Sequence, residues 1–197
     1  EKIKHFISKD ALNIDGFGKK VVEKFWKLKL IRFPQDIFEL DYKKIENLEG
    51  WGKLSASNLK HAIDNSKKIT LDKLIFSLGI RHIGQENSKL IAENVKTLEH
   101  FSNISSDYKF NSFLNIDGIG ETQIKSFKKF FSNKANLRVI QRLKKYISIA
   151  KIDKKISGKF KNKTFMFTGK LEGISRAEAK SIIEKNSGKI LSTVNNK

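Results

Sequence analysis

Ile14-Asp15-Gly16-Phe17-Gly18, Leu48-Glu49-Gly50-Trp51-Gly52, Ile80-Arg81-His82-Ile83-Gly84 and Ile116-Asp117-Gly118-Ile119-Gly120 are four versions of one five-residue pattern. Each opens on an aliphatic residue and ends on an apolar residue followed by glycine; the middle position is glycine in three and His82 in the fourth. The closing glycines fall at 18, 52, 84 and 120, in steps of 34, 32 and 36 residues. A period of that size marks a repeated supersecondary unit. Val22 and Phe25 lie four and seven residues past Gly18, Ala56 and Leu59 do so past Gly52, Ile91 lies seven past Gly84, and Ile124 and Phe127 lie four and seven past Gly120. Those spacings share one helical face. A shorter apolar-periodic segment precedes each turn, most clearly Leu71, Leu74, Ile75 and Leu78. The pattern predicts helix, tight turn, helix, four times over.

The rest of the chain follows from that frame. Pro34, the one proline, begins the connection toward Ile37, Phe38 and Leu40. Residues 137–149 predict one further amphipathic helix. Between Lys151 and Lys163 stand six lysines against Asp153, which reads as a basic linker. Thr164-Phe165-Met166-Phe167-Thr168-Gly169 predicts a short buried strand entering a glycine turn. Ser175-Arg176-Ala177-Glu178 has the form of a helix cap, with its helix running to about Asn186, and Gly188 to Ser192 predicts a second strand. The expected fold is mainly α: four tandem helix-hairpin-helix units forming a compact helical domain over 1–149, a basic linker over 150–161 and an incomplete α/β unit over 162–197.

Composition narrows the function. With 197 residues, 39% of them hydrophobic, and 15 phenylalanines, the chain can build a real core. No apolar run reaches the length of a membrane-spanning helix, and no secretion signal is visible. The chain has no cysteine, so it holds neither disulfides nor a thiolate zinc site; this is compatible with the expected cytoplasmic setting. A formal net charge of +19 attracts polyanions, nucleic acid first and anionic membrane second. Only Arg32, Arg81, Arg138, Arg142 and Arg176 are arginine among the 40 basic residues. A lysine-rich surface alone is a solvated face, and it acquires a function only with a geometric partner.

The hairpins supply that partner. Glycine adopts the unusual backbone angles of a tight turn and, lacking Cβ, lets a ligand approach the main chain. The second helix begins at the closing glycine, where first-turn amides have no partner within the helix and the dipole is positive. A DNA phosphate oxygen fits there. One such interaction contributes only ~0.3–1 kcal/mol, but four on one rigid body combine through effective concentration. Backbone amides carry no sequence information, so duplex binding indifferent to sequence is expected. The candidate contacts are Gly16, Gly18, Lys19, Gly50, Gly52, Lys53, Arg81, His82, Gly84, Gly118 and Gly120. Taken singly, each hairpin reads first as a plain turn, and it is four in register in a chain of this charge that point to DNA; His82 either touches phosphate or fills its turn. Asp15 and Asp117 suit the turn itself, and Phe17 and Trp51 suit the core. Val21 and Gln123 stand where a dinucleotide fingerprint needs its third glycine, Gly169-Lys170 lacks the upstream glycine of a P-loop, and His5, His61, His82 and His100 have no metal-ligand spacing. No catalytic group emerges.

The stretch Leu71-Asp72-Lys73-Leu74-Ile75-Phe76-Ser77-Leu78-Gly79-Ile80-Arg81-His82-Ile83-Gly84 resembles the third helix-hairpin-helix unit of bacterial NAD-dependent DNA ligases, and the other hairpins lie where that family has them. Residues 164–197 resemble the first half of the BRCT domain that ends those enzymes, notably Phe167-Thr168-Gly169-Lys170-Leu171 and Ser175-Arg176-Ala177-Glu178-Ala179-Lys180. The resemblance implies a parent enzyme that seals nicks: AMP passes from NAD to a lysine and then to the 5′-phosphate, and a 3′-hydroxyl displaces it. It implies NAD and magnesium for the parent and zinc in a cysteine finger. All of these, with the adenylation domain and OB-fold, are expected upstream of Glu1, so this chain is expected to bind no cofactor and to be inactive alone. The adenylated lysine of the family lies in Lys-x-Asp-Gly; here Asn13 and Asn115 hold the first place, so neither hairpin is that motif. The implied partner is nicked duplex DNA, held by its backbone across the minor groove, in the bacterial cytoplasm at the nucleoid. Thr168 and Gly169 match a Thr/Ser-Gly pair that can hold phosphate in BRCT domains. Three rival readings stand beside this one: a non-catalytic helix-hairpin-helix scaffold of repair or recombination, a hairpin-containing glycosylase or lyase, and a basic RNA-binding protein.

Overall fold

A long or short helix starts at each closing glycine, and a shorter helical segment leads into each turn. The computed structural model describes residues 1–104, 107–150, 158–160, 163–167, 173–174 and 176–191. The chain divides into two units, Glu1–Lys151 and Ile152–Lys197. In the first, α1 (Lys2–Phe6) and α2 (Lys19–Lys27) flank the first hairpin. A 3-10 turn (Pro34–Glu39) with proline in its first position leads to α3 (Tyr42–Glu46), the second hairpin and α4 (Lys53–Ser66). A two-residue strand β1 (Lys68–Ile69) precedes α5 (Leu71–Ser77), the third hairpin and α6 (Gln85–Val95). Then come α7 (Leu98–Ser102), α8 (Asp107–Ser112) with a 3-10 turn (Phe113–Asn115), the fourth hairpin, α9 (Glu121–Phe131) and α10 (Lys134–Leu143).

Two apolar clusters fill this unit. The first gathers Phe6, Phe17, Val22, Phe25, Ile45, Leu59 and Ile63 from hairpin units one and two. The second gathers Ile83, Ile91, Phe101, Phe110, Phe113, Ile124, Phe127 and Phe131 from units three and four. The four repeats are therefore packed as two pairs. Helices α5 and α10 form the seam, since Leu74 and Leu143 belong to the first cluster while Ile75 and Ile140 belong to the second.

One expectation is corrected here. Residues 137–149 are not a single helix: α10 stops at Leu143, and Ser148–Ile149 form strand β2, parallel to β1. The Ser148 amide donates to Lys67 O at 2.8 Å and the Ala150 amide to Ile69 O at 2.9 Å. An available strand edge captures a segment whose β-branched isoleucines fit a strand as well as a helix. In the second unit β3 (Thr164–Phe165), α11 (Arg176–Lys185) and β4 (Lys189–Ile190) form a parallel β-α-β unit, with Ala179 and Ile183 of the helix buried. The expected cap at Ser175 lies outside the described residues.

An ionic clip joins α10 to the 3-10 turn. Arg142 Nη2 donates to both Glu39 carboxylate oxygens at 2.6 Å, Tyr146 OH donates to Glu39 Oε1 at 2.6 Å, and the Tyr146 ring stacks on Phe38 at 5.5 Å. The bond from Tyr146, and then that from Arg142, hold the Glu39 carboxyl below its ordinary 4.5. A carboxyl with a depressed folded-state value stabilises fully above the unfolded value, and that contribution fades as pH falls through the folded one. Glu39→Gln is therefore expected to lower the urea midpoint near pH 7, with the difference from the unaltered chain shrinking well below pH 4.5; circular dichroism across a pH series checks this.

Candidate nucleic-acid interface

One hydrogen bond closes every hairpin. The Phe17 amide donates to Ile14 O at 3.2 Å, Trp51 to Leu48 O at 2.9 Å, Ile83 to Ile80 O at 3.0 Å and Ile119 to Ile116 O at 3.0 Å. The third residue of each turn is left-handed: φ is 73° at Gly16, 75° at Gly50, 62° at His82 and 90° at Gly118. A four-residue turn with positive φ at its third position is the type II arrangement. His82 thus fills the place glycine holds elsewhere, a conformation that costs a non-glycine residue roughly 1–2 kcal/mol, and it is exposed there.

The closing glycines answer to a different constraint. Gly18, Gly52, Gly84 and Gly120 have φ of −71°, −163°, −83° and −106° with ψ within 10° of 180°. Any residue adopts such extended backbone. A Cβ at Gly18, Gly52 or Gly84 would meet nothing within 4 Å, and at Gly120 only Gln123 Oε1 at 3.5 Å. Neither backbone angle nor internal packing demands glycine at these four positions. Only the middle residue of each turn serves the unusual angle; the closing glycine leaves open the way to the amides behind it.

Those amides are well defined. The first helical bonds run from Val22 to Gly18 O, Ala56 to Gly52 O, Ser88 to Gly84 O and Ile124 to Gly120 O. The three amides before each lie ahead of the first helical acceptor. Three units brace the turn from the third helical residue. Ser55 Oγ accepts from the Gly52 amide at 2.9 Å, Gln123 Oε1 accepts from the Gly120 amide at 3.1 Å, and Asn87 Nδ2 donates to His82 O at 3.3 Å. Val21, at this position in the first unit, has no polar side-chain atom to offer.

Hairpins also meet in pairs, and both pairs use the same register. Lys24 Nζ donates to Glu49 O, bringing the second hairpin onto α2. Leu90 Cδ1 lies 3.2 Å from where a Cβ on Gly118 would stand, bringing the fourth hairpin onto α6. Lys24 and Leu90 each lie six residues past their own closing glycine. In the first pair Phe17 packs on Phe25 at 5.5 Å and Phe25 on Trp51 at 5.3 Å; Ile83, Ile91 and Ile119 hold the equivalent places in the second cluster. Phe17 is a buried core anchor, as expected, and Trp51 is half-buried against the same cluster.

Of the expected contacts, Gly16, Gly18, Lys19, Gly50, Lys53, Arg81, His82, Gly84, Gly118 and Gly120 are exposed and Gly52 is half-buried. Their charges differ by unit. Lys19 and Lys20 follow the first hairpin and Lys53 the second, and Arg81 occupies the tip of the third. The first, second and fourth tips carry carboxylates, Asp15, Glu49 and Asp117, and Glu121 opens the fourth unit's second helix, 3.8 Å from Lys125. Leu54 escaped the sequence reading: it is 76% exposed in the first turn of α4, two residues past Gly52 and off the buried face. Thr168 and Gly169 lie outside the described residues. Among the described residues no group of three or more His, Asp or Glu could hold a metal ion, and no helix is long and apolar enough to cross a membrane.

Comparison with known proteins agrees with this geometry. Residues 73–140 match the helix-hairpin-helix motif family, and residues 155–197 match the BRCA1 C Terminus (BRCT) domain family. The whole chain is 62% identical to 29% of a DNA ligase from Pelagibacter ubique and 38% identical to 28% of one from Sulfurihydrogenibium azorense. It is 40% identical to 31% of a DNA ligase from Wolbachia pipientis, again over its full length. The chain spans about a third or less of these relatives. It carries both a helix-hairpin-helix motif and a BRCT domain, and is homologous throughout to one part of the DNA ligases.

The two glycines of a hairpin should respond oppositely to the same change. Gly50→Ser, at φ 75°, is expected to cost roughly 1–2 kcal/mol. Gly52→Ser, at an extended helix-capping position where serine is preferred, should leave stability unchanged or slightly raised. Urea denaturation of the two variants checks the contrast.

Proposed function

We propose that this chain is the DNA-binding C-terminal part of an NAD-dependent DNA ligase and that it grips nicked duplex DNA through phosphates without reading sequence. The observation that carries the reading is the set of closing glycines: four helix starts carry glycine where neither φ nor packing requires it. A residue without Cβ at such a place serves close approach by something external. The helix N-termini behind these glycines suit an anion, and the +19 charge suits a polyanion. Homology to DNA ligases along the full length of the chain favours this reading over a non-catalytic scaffold, a glycosylase or an RNA binder.

In this role the chain holds the duplex while the rest of the parent enzyme joins 5′-phosphate to 3′-hydroxyl through AMP intermediates. NAD, magnesium and zinc are assigned to that remainder. The family's adenylated lysine has no counterpart at Asn13 or Asn115, so this chain contributes positioning rather than a nucleophile. The parent enzyme would work in the bacterial cytoplasm, on the nucleoid. The hairpins do not share the load equally. Carboxylates stand at the tips of the first, second and fourth hairpins, Asp15, Glu49 and Asp117, but Lys19, Lys20 and Lys53 follow the first two and Arg81 forms the third tip, whereas the fourth has neither a cationic tip nor a lysine among its first three helical residues. The fourth hairpin therefore contributes least.

Binding of the full chain to nicked and intact duplex over a salt series tests this. If about six phosphates are neutralised, log K should fall with log salt at a slope near −5. Gly18→Ser, Gly52→Ser and Gly84→Ser should each weaken binding several-fold while leaving the urea midpoint in place, and Gly120→Ser should weaken it least. Unchanged affinity in all four variants would overturn the reading.

A further inference from the structure

The first unit carries a second concave surface that the hairpins do not use. It is a groove of about 540 Å³ between α1, α2, the start of the 3-10 turn and the start of α10. Its floor is apolar, built from Ile3, Val22, Leu78 and Val139. Two large rings stand open to solvent at its edge: Trp26 at 45% and Phe33 at 50% exposure. The Arg32 guanidinium lies over the Trp26 ring, 4.8 Å from its centroid, holding the ring from one side. Exposed aromatics gathered around a concave apolar floor mark a binding surface rather than ordinary surface scatter.

Charge selects the occupant. Four cations line the groove, Lys2, Lys4, Lys27 and Arg32, against the carboxylates of Glu1 and Glu23. Lys4 already takes both carboxylates, at 3.2 Å and 2.7 Å. Lys27 also acts on Glu23, so the groove keeps a surplus of positive charge centred on Lys2, Lys27 and the Arg32 that stands over Trp26, and the N-terminal residues of α10 add the positive end of a helix. DNA is a poor fit. Trp26 lies eight residues along α2 from Gly18, about 12 Å at the helical rise, and an apolar floor offers nothing to a phosphodiester. A second copy is disfavoured by mutual repulsion at +19.

We propose that this groove docks an amphipathic helical segment of a protein partner, its apolar side chains against Trp26, Phe33 and the floor and its acidic residues toward Lys2, Lys27 and Arg32. This is helix-in-groove recognition, in which apolar anchors supply affinity and flanking charge supplies orientation.

The test uses the full chain and three labelled 14-residue probe peptides: leucine–alanine–glutamate, the same with lysine for glutamate, and the same with serine for leucine. Fluorescence anisotropy reads affinity at 150 mM salt. The indole N–H resonance of Trp26, one of two in the chain and assigned with Trp26→Phe, reports the place. The expected result is binding of the first peptide, at least tenfold weaker binding of the other two, and a shift at Trp26 but not at Trp51. Phe33→Ser and Arg32→Glu should each weaken the first peptide about tenfold, while Phe33→Ser leaves duplex binding unchanged. Equal affinity for the serine peptide would reduce the effect to bulk charge and overturn the proposal. So would an unmoved Trp26 resonance, a Trp26 shift on adding duplex DNA instead, or a concentration-dependent dimer that moves the same resonance.

Discussion

The first unit depends on one backbone hydrogen bond repeated four times, from the residue after a left-handed position to the carbonyl three residues earlier. It fixes where the second helix starts and which way its first amides point. It also drives the apolar residue at the turn's end inward, where it meets the residue seven past the closing glycine. Thus Phe17 reaches Phe25 while Ile83 and Ile91 share one core. Without the turn, the helix start would not be presented to solvent and the core would lose its inner row.

From that unit the pairing follows. Side chains of α2 and α6 six residues past their closing glycines hold the next hairpin, by a hydrogen bond from Lys24 in one case and by van der Waals contact from Leu90 in the other. Different chemistry at the same register gives the same relation between neighbours. An aromatic trio in the first pair and an isoleucine trio in the second fill equivalent space. Cores tolerate such exchanges when volume and pattern are kept, so the geometry of the pair is what the repeats hold in common.

Much of this was legible in the sequence because it is local. Turn chemistry and the four-and-seven spacing are encoded within about fifteen residues, and each hairpin lies where its glycines put it. The misreadings came from distant partners. Residues 144–149 carry a helix-like pattern, and nothing nearby reveals that Lys68–Ile69 offers a strand edge 80 residues away. The five-residue α7, started by the Thr97 side chain accepting from the His100 amide, is too short to show a period. The two glycines of each hairpin looked alike in sequence, yet one answers to backbone angle and the other to open space. The groove at Trp26 could not be foreseen, because its walls come from segments more than a hundred residues apart.

The energies favour a distributed grip over a single strong site. A helix start contributes about 0.3–1 kcal/mol to an anion in solvent, too little for any one hairpin to hold DNA alone. Two tightly packed pairs sharing α5 and α10 hold the helix starts on one folded unit, so that once one engages, the others act at high effective concentration. In that setting unequal hairpins are useful. On the proposed reading Lys19, Lys20, Lys53 and Arg81 supply the attraction at the first three units, and the carboxylate tips Asp15, Glu49 and Asp117 add none. If the chain grips DNA as proposed, it discriminates by the shape of the backbone it can accommodate, since backbone amides are blind to the bases. In the proposed role, that is the property needed to hold a break wherever in the sequence it occurs.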